Sequence, residues 1–429
     1  KPMLDTEERQ KIIALINREV IPALGCTEPV AVALATARAR ETLEGDPKKI
    51  EVFVSSNICK NGMGVGIPGT GMVGLPIAAA LGSVCGNSKD GLEVLKHVNP
   101  ENLKKARWMV DEKLVEIKIK EGTDKLYIES ICKDETNTSR AIISHRHNNI
   151  IYVEKNGKAV FHGLETPSSV EESDTKIDLC VAKVYEFASR TPLDEIKFIL
   201  EGVKLNEAIS KEGMTGKYGL KTGATIKTNI TKKFIADDLA SHAMALTAAA
   251  SDARMDGCDL PVMSNSGSGN QGITTILPVV AVAQKTGASE EKLIRALILS
   301  NLMAIYFKQY IGQLTALCGV LTAATGAACG ICYLLGGDLD QISGTIKNMA
   351  ASITGMICDG AKQGCALKVS AGVSSAVYCA LLAMEGSYAA NTDGIIDEDV
   401  DLTLKNIGEL ARKGMLETDR HIINTMISK

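Results

Sequence analysis

At 429 residues, 45% apolar and 23% charged, the chain can bury two or three cores and needs no disulfide staples. Its net charge of −4, with no basic block, leaves no electrostatic footprint for nucleic acid, so a small-molecule partner is expected. Aromatics at only 4% and 39 glycines point to an interior of small side chains and close helix contacts.

The opening stretch, KPMLDTEERQKIIALINREV, is charged and amphipathic and lacks the apolar core and cleavage site of a signal peptide. A cytoplasmic location is the expectation. Residues 1–45 read as two helices, the second opening at GCTEPVAVALATARARETL with Thr27 as its cap and Pro29 in its first turn. KIEVFVSSN then alternates Ile50, Val52 and Val54 as a strand. It runs into KNGMGVGIPGTGMVGLPIAAALGSV, a glycine-rich turn followed by an apolar helix. Between Glu112 and Gly163 the strands KLVEIKIK, KLYIESICK, RAIISH and NIIYVEK follow, with a tight turn at Asn156-Gly157.

After the polar run ETPSSVEESDTK the pattern turns helical, beginning with TPLDEIKFILEGVKLNEAI and a capping Thr191. Glycine-rich loops interrupt it at 213–223, 264–272 and 358–364. The fold class expected is α+β. An N-terminal α/β region, residues 1–170, carries a mainly antiparallel sheet covered on one side by helices, and a mostly helical domain, residues 171–429, carries the cysteine-rich loops. No fixed-period repeat suggests a solenoid. From Gln309 to Gly337 no charge occurs, but the composition is Gly, Ala, Thr and Cys, which reads as buried helix and not as a membrane span.

Twelve cysteines in a reducing compartment are expected to be buried, catalytic or metal-bound. Cys85, Cys132, Cys180 and Cys379 sit in apolar surroundings and read as core fillers. Cys358 and Cys365, in GMICDGAKQGCALKV, leave two readings open. On a continuous helix they are small core residues about 10.5 Å apart along the axis, whereas a break at Gly360 or Gly364 allows a shared site. Cys318, followed by Gly319, offers a third thiol. Cys329 and Cys332 form a C-x2-C pair in AACGICYLL, where core packing is favoured over a redox or metal role; no histidine clusters with the cysteines, which counts against zinc. Cys26 precedes the helix opening at Thr27, where the dipole favours a thiolate base or nucleophile; a buried turn residue is the alternative. Two loops, SSNICKNGMGVGIPGTG with Lys60 and Asn61, and SNSGSGNQG at 264–272, look like anion cradles or structural turns. Neither has a Walker or dinucleotide spacing.

Together GCTEPVAVALA, KNGMGVGIPGTG, SNSGSGNQGI, LCGVLTAATGAACGICYLLGG and CDGAKQGCALKVSAGVSSAVYCA closely resemble the L-cysteine desulfidase family, itself related to the alpha part of iron–sulfur-dependent L-serine dehydratases. The resemblance covers essentially the whole chain. It implies a [4Fe–4S] cluster held by Cys318, Cys358 and Cys365, with one iron left open as a Lewis acid, and a functional cysteine at Cys26. The implied reaction is β-elimination of L-cysteine to pyruvate, ammonia and hydrogen sulfide, with Cys26 taking the Cα proton. Lys60, Asn61, Ser264, Asn265 and Asn270 are then the candidates for holding the substrate carboxylate, and Asp359 lies behind the cluster ligands. The chain ends NTMISK with no cysteine in its last fifty residues and lacks an S-S-S-H-T-type motif, which favours cysteine over serine. An iron–sulfur L-serine dehydratase and a non-catalytic iron–sulfur or persulfide carrier are the alternatives. The partners expected are L-cysteine and a second copy in a homodimer, with no nucleic acid and no membrane.

Overall fold

The computed structural model describes residues 4–164, 177–312 and 314–429. The polar run ETPSSVEESDTK lies outside the described residues. Asp5 caps the first helix, Thr6–Glu19, by accepting from the Glu8 amide, and Ile12, Leu15 and Ile16 bury its inner face in the core of the helical half. Strand β1, Pro22–Ala23, then pairs antiparallel with Val262–Met263 far along the chain.

The second helix, Thr27–Leu43, is entered one residue earlier than the sequence suggests. Gly25 at φ +71° turns the chain so that Cys26, in extended conformation, takes the N-cap position. Thr27 is therefore inside the helix and caps nothing; its hydroxyl faces Glu28 and His147. The next strand, β2 (Lys49–Val54), ends at Ser55, whose side chain caps a short helix, Ser56–Gly62. The expected turn at Lys60-Asn61-Gly62 is thus helical.

Helices Leu75–Cys85 and Pro100–Asp111 carry the chain back to β3 (Val115–Ile119), which joins β2 in parallel, as a crossover connection allows. Strands β4 (Tyr127–Lys133), β5 (Thr138–Ser144), β6 (Ile150–Lys155) and β7 (Lys158–His162) add antiparallel neighbours, giving the order β3-β2-β4-β5-β6-β7. Asn156 and Gly157, both at positive φ, make the last hairpin turn. Ile50, Val52, Val54, Ile128, Ala141 and Val153 point to one face and pack on helices Thr27–Leu43 and Leu75–Cys85. Those helices nearly touch: a Cβ on Gly82 would lie 2.2 Å from the Ala33 carbonyl oxygen. On the opposite face Glu129, Arg140 and Glu154 form ion pairs. The fold is α+β with a mainly antiparallel sheet.

From residue 177 onward the chain is mostly helical. Glu290–Ile311 and Val320–Leu334 lie side by side at its centre, with Gly269–Thr286, Leu239–Met255 and Cys365–Met384 around them. Gly326 permits the central contact, since a Cβ there would stand 2.3 Å from the Ser300 carbonyl oxygen. The charge-free stretch after Gln309 therefore ends one buried helix and supplies another. Among the described residues one helix, Cys365–Met384, is long and apolar enough to cross a membrane, and half of it is buried. Two local expectations are corrected. Thr191 does not cap, because Pro192 takes the N-cap position before Leu193; its buried hydroxyl has no partner among the described residues. Cys180 is no core filler: half-buried, it caps helix Val181–Arg190, its sulfur accepting from the Lys183 amide at 3.4 Å. Cys132 and Cys379 are buried as expected, and Cys85 is half-buried.

Candidate active site

The sheet half and the helical half together enclose a cavity of about 1390 Å³. Small-molecule pockets usually span about 300–1,000 Å³, so it has room for more than one amino acid. Cys26, Cys318, Cys358 and Cys365 all line it.

No helix joins Cys358 to Cys365. Residues 354–364 form a loop, and the helical alternative for this pair is overturned. The loop's first arm pairs with the segment before Val320: the Cys318 amide donates to the Met356 carbonyl at 3.0 Å, and the Cys358 amide to the Ala316 carbonyl at 2.7 Å. Backbone bonds thus set Cys318 beside Cys358. Gly360 then turns the chain at φ +93°, so close to the Ser56–Gly62 helix that a Cβ would fall 2.1 Å from the Lys60 carbonyl oxygen. Only glycine fits there. The turn delivers Cys365 to the start of its helix, with its sulfur 3.5 Å from the Gly360 carbonyl. Asp359 is clamped by ion pairs to Lys362 and Lys368. Burial alone would raise its carboxyl, but the two lysines hold it down to about 2. Lys368 also donates to the Ile357 carbonyl at 2.7 Å, fixing the loop to the helix that follows it.

Burial, with Cys358 as the nearest like charge, pushes the Cys318 thiol up to about 12; burial also raises Cys365, against the pull of Lys362. Lys308 projects into the same wall, where burial lowers its ammonium and Cys358 and Cys318 raise it. Among the described residues no three His, Cys, Asp or Glu side chains converge on one metal ion. A multinuclear cluster makes a different demand, since each thiolate binds its own iron and the sulfurs stand apart around it. Three thiols on one wall, flanked by cationic Lys308, Lys362 and Lys368 to balance thiolate charge, fit such a group.

Cys26 packs with Val65, Met255, Ala361 and Cys365 in one small cluster. The expected lowering of its pKa by the helix terminus is corrected: burial pushes the thiol up, and Arg254 is the principal group opposing it. Beside it Glu28 pairs with His147 at 3.5 Å; burial would raise Glu28, but His147 holds it below the ordinary carboxylate range. His147 comes from the β5–β6 hairpin, so the sheet half contributes directly to the wall.

The other sequence candidates divide. Lys60 lines the cavity but is buried and bound to Asp419 of helix Leu416–Ile427 at 2.7 Å. Asn61 and Asn270 are on the wall. Asn270 is oriented by the Ser251 hydroxyl at 3.3 Å and the Met255 sulfur at 3.5 Å. Ser264 and Asn265 are not on the wall. Ser264 donates to the Ile21 carbonyl at 2.6 Å, and Asn265 to the Asn301 side chain at 3.0 Å, both serving the fold. Arg254, Lys308 and the Glu28–His147 pair escaped sequence reasoning: Arg254, Lys308 and His147 lie in helices or a turn with no motif around them, and Glu28, inside GCTEP, was passed over for its near neighbour Cys26.

A family model described as serine dehydratase alpha chain matches residues 89–424. Among similar chains, the UPF0597 protein of Parabacteroides distasonis is 54% identical over 428 residues, covering 99% of this chain and 100% of its own length. The UPF0597 protein of Oleidesulfovibrio alaskensis is 49% identical, covering 98% of this chain and 99% of its own, and that of Aeromonas hydrophila 45%, covering 97% and 96%. The chain belongs to the serine dehydratase alpha chain family, whose members are iron–sulfur-dependent dehydratases and hence lyases.

Proposed function

We propose that the chain is an L-cysteine desulfidase, converting L-cysteine to pyruvate, ammonia and hydrogen sulfide. The observation that carries this reading is that Cys365 packs against the small cluster containing Cys26, on the wall that also presents Cys318 and Cys358. A base and an all-thiol metal site thereby face one volume. A [4Fe–4S] cluster held by Cys318, Cys358 and Cys365 supplies, when bound, an open Lewis-acid position that makes a β-sulfur a better leaving group.

The chain's own residues do the rest. Cys26 as thiolate takes the Cα proton, the C–H electron pair becomes the Cα–Cβ double bond, and the C–S pair departs with sulfide. Arg254 favours the thiolate that burial opposes. The aminoacrylate tautomerises to an imine, which water hydrolyses to pyruvate and ammonia without catalytic help. Asn61 and Asn270 offer polar contacts to the amino acid, while the Lys60–Asp419 pair holds helix Leu416–Ile427 against the wall. The test is an anaerobic assay of iron-reconstituted protein with L-cysteine and L-serine. Sulfide and pyruvate in equal amounts, with kcat/KM higher on cysteine, are expected. A higher kcat/KM on serine would replace the desulfidase with a serine dehydratase, and iron without turnover of either would leave a carrier.

A further inference from the structure

Arg254 stands near the end of helix Leu239–Met255, its side chain on the cavity wall and only 8% of the residue exposed. Its Nη2 donates to the Gly25 carbonyl at 3.3 Å, and the guanidinium also reaches the Cys26 thiol. Its Nε has no partner, and no carboxylate is within ion-pair distance of Arg254, among the described residues, though Glu28 is near enough to feel its charge. A buried guanidinium left in that state is costly unless an anion joins it.

The space beside it is shaped for one. A Cβ on Gly269 would lie 2.1 Å from Arg254 Nε and 2.5 Å from Cζ, so any larger residue would drive the guanidinium out of place. Gly269 opens an 18-residue helix, Gly269–Thr286. The Ser268 side chain satisfies the Gln271 amide, while the amides of Gly269 and Asn270 have no partner within the helix. Both residues line the cavity. A fixed cation, a helix N-terminus and an oriented asparagine therefore meet next to Cys26.

We propose that Arg254 and the first turn of helix Gly269–Thr286 form the subsite for the substrate's α-carboxylate. The assignment rests on the reading of the cavity as an amino-acid lyase site. A planar guanidinium suits a carboxylate better than a point charge does. The carboxylate carbon is bonded to Cα, so a carboxylate seated on the guanidinium that touches Cys26 presents the Cα proton to that base. Neutralising the carboxylate also removes the negative charge that would oppose charge development at Cα. The subsite selects free α-amino acids and rejects amides, esters and simple amines.

Two variants test this. Arg254→Met keeps the apolar stem and removes the cation; Gly269→Ala keeps the cation and displaces it. Each is expected to retain the wild-type iron content and to lose about 10- to 100-fold in kcat/KM on L-cysteine, the worth of a charged hydrogen bond. On L-cysteinamide each loses only what weaker support of the Cys26 thiolate costs, at least about fivefold less than on L-cysteine, so the wild-type preference for the free acid collapses. Equal losses on both substrates, or no loss on either, overturn the proposal. Should Arg254→Met fail to fold, Gly269→Ala alone decides by the same criterion. If the wild type turns over neither cysteine nor serine, the lyase reading fails, and calorimetry with unreactive L-alanine and with ethylamine then judges the subsite. L-alanine binding weakened at least about tenfold in Arg254→Met, with ethylamine bound by neither protein, supports it; equal L-alanine affinity overturns it.

Discussion

Two cysteine pairs in the helical half have opposite characters, and the one closer in sequence is the inert one. Cys329 and Cys332 sit three residues apart inside the continuous helix Val320–Leu334, with no exposed surface. Burial drives the Cys329 thiol well above its ordinary range, and among the described residues no lysine or arginine opposes it. Cys358 and Cys365 lie on a glycine-broken loop in the cavity wall, among Lys308, Lys362 and Lys368. What makes a cysteine pair available for chemistry is an interrupted backbone and a nearby positive charge. Sequence spacing alone says little.

The largest effects expected from breaking this contrast come from the loop. Cys358→Ala and Cys365→Ala should lose iron and turnover together, as measured by iron content and pyruvate release; a variant that keeps its full iron would erase the distinction between the pairs. Cys26→Ala should keep its iron and lose about 10²- to 10⁴-fold in kcat, the usual worth of a positioned base. Near-normal turnover would remove Cys26 from that role.

Backbone and burial effects are smaller. Gly360→Ala forces a side chain into a left-handed turn and against the Lys60 carbonyl. A loss of at least about 1–3 kcal/mol in thermal unfolding, together with poorer iron loading, is expected. Asp252 extends the contrast to a buried acid with little compensation: burial raises its carboxyl to about 6 although the Gly223 amide donates to it at 2.9 Å. Because the folded pKa exceeds the ordinary 3.8, the stabilising contribution is complete below about pH 3.8 and is lost as pH rises through about 6. Asp252→Asn should therefore match the wild type near pH 4 and exceed it at pH 7, by at most about 3 kcal/mol. A constant Tm difference across that range would sink the assignment. Smallest of all, Cys329→Ala should cost about 1 kcal/mol of packing and leave iron and kcat unchanged.

Local periodicity carried much of the fold into view. The alternation of Ile50, Val52 and Val54 and the Asn156-Gly157 turn are where their patterns place them, and the helix in GCTEPVAVALATARARETL misses by one residue at its cap. Long-range pairings were hidden. Lys60 reads as a free cation in a glycine-rich loop because its partner, Asp419, lies near the other end of the chain. Arg254 sits in a helix so rich in buried alanine that nothing marks it as the charged member of a cavity wall. Its signal is indirect: Gly269, whose missing side chain makes room for the guanidinium. The three thiols were grouped by family resemblance, since no local rule reveals that Ala316–Cys318 and Met356–Cys358 pair through their backbones.

The short ladder between Pro22–Ala23 and Val262–Met263 also dictates an order of assembly. Loop-closure entropy must be overcome across more than half of the chain before those four residues can meet. The sheet and helix Thr27–Leu43 can collapse from nearby segments, but Cys26 is anchored only once residue 263 has been made and Arg254 has reached the Gly25 carbonyl. During synthesis the base therefore stays detached from the thiol-bearing wall until Cys365 has been made.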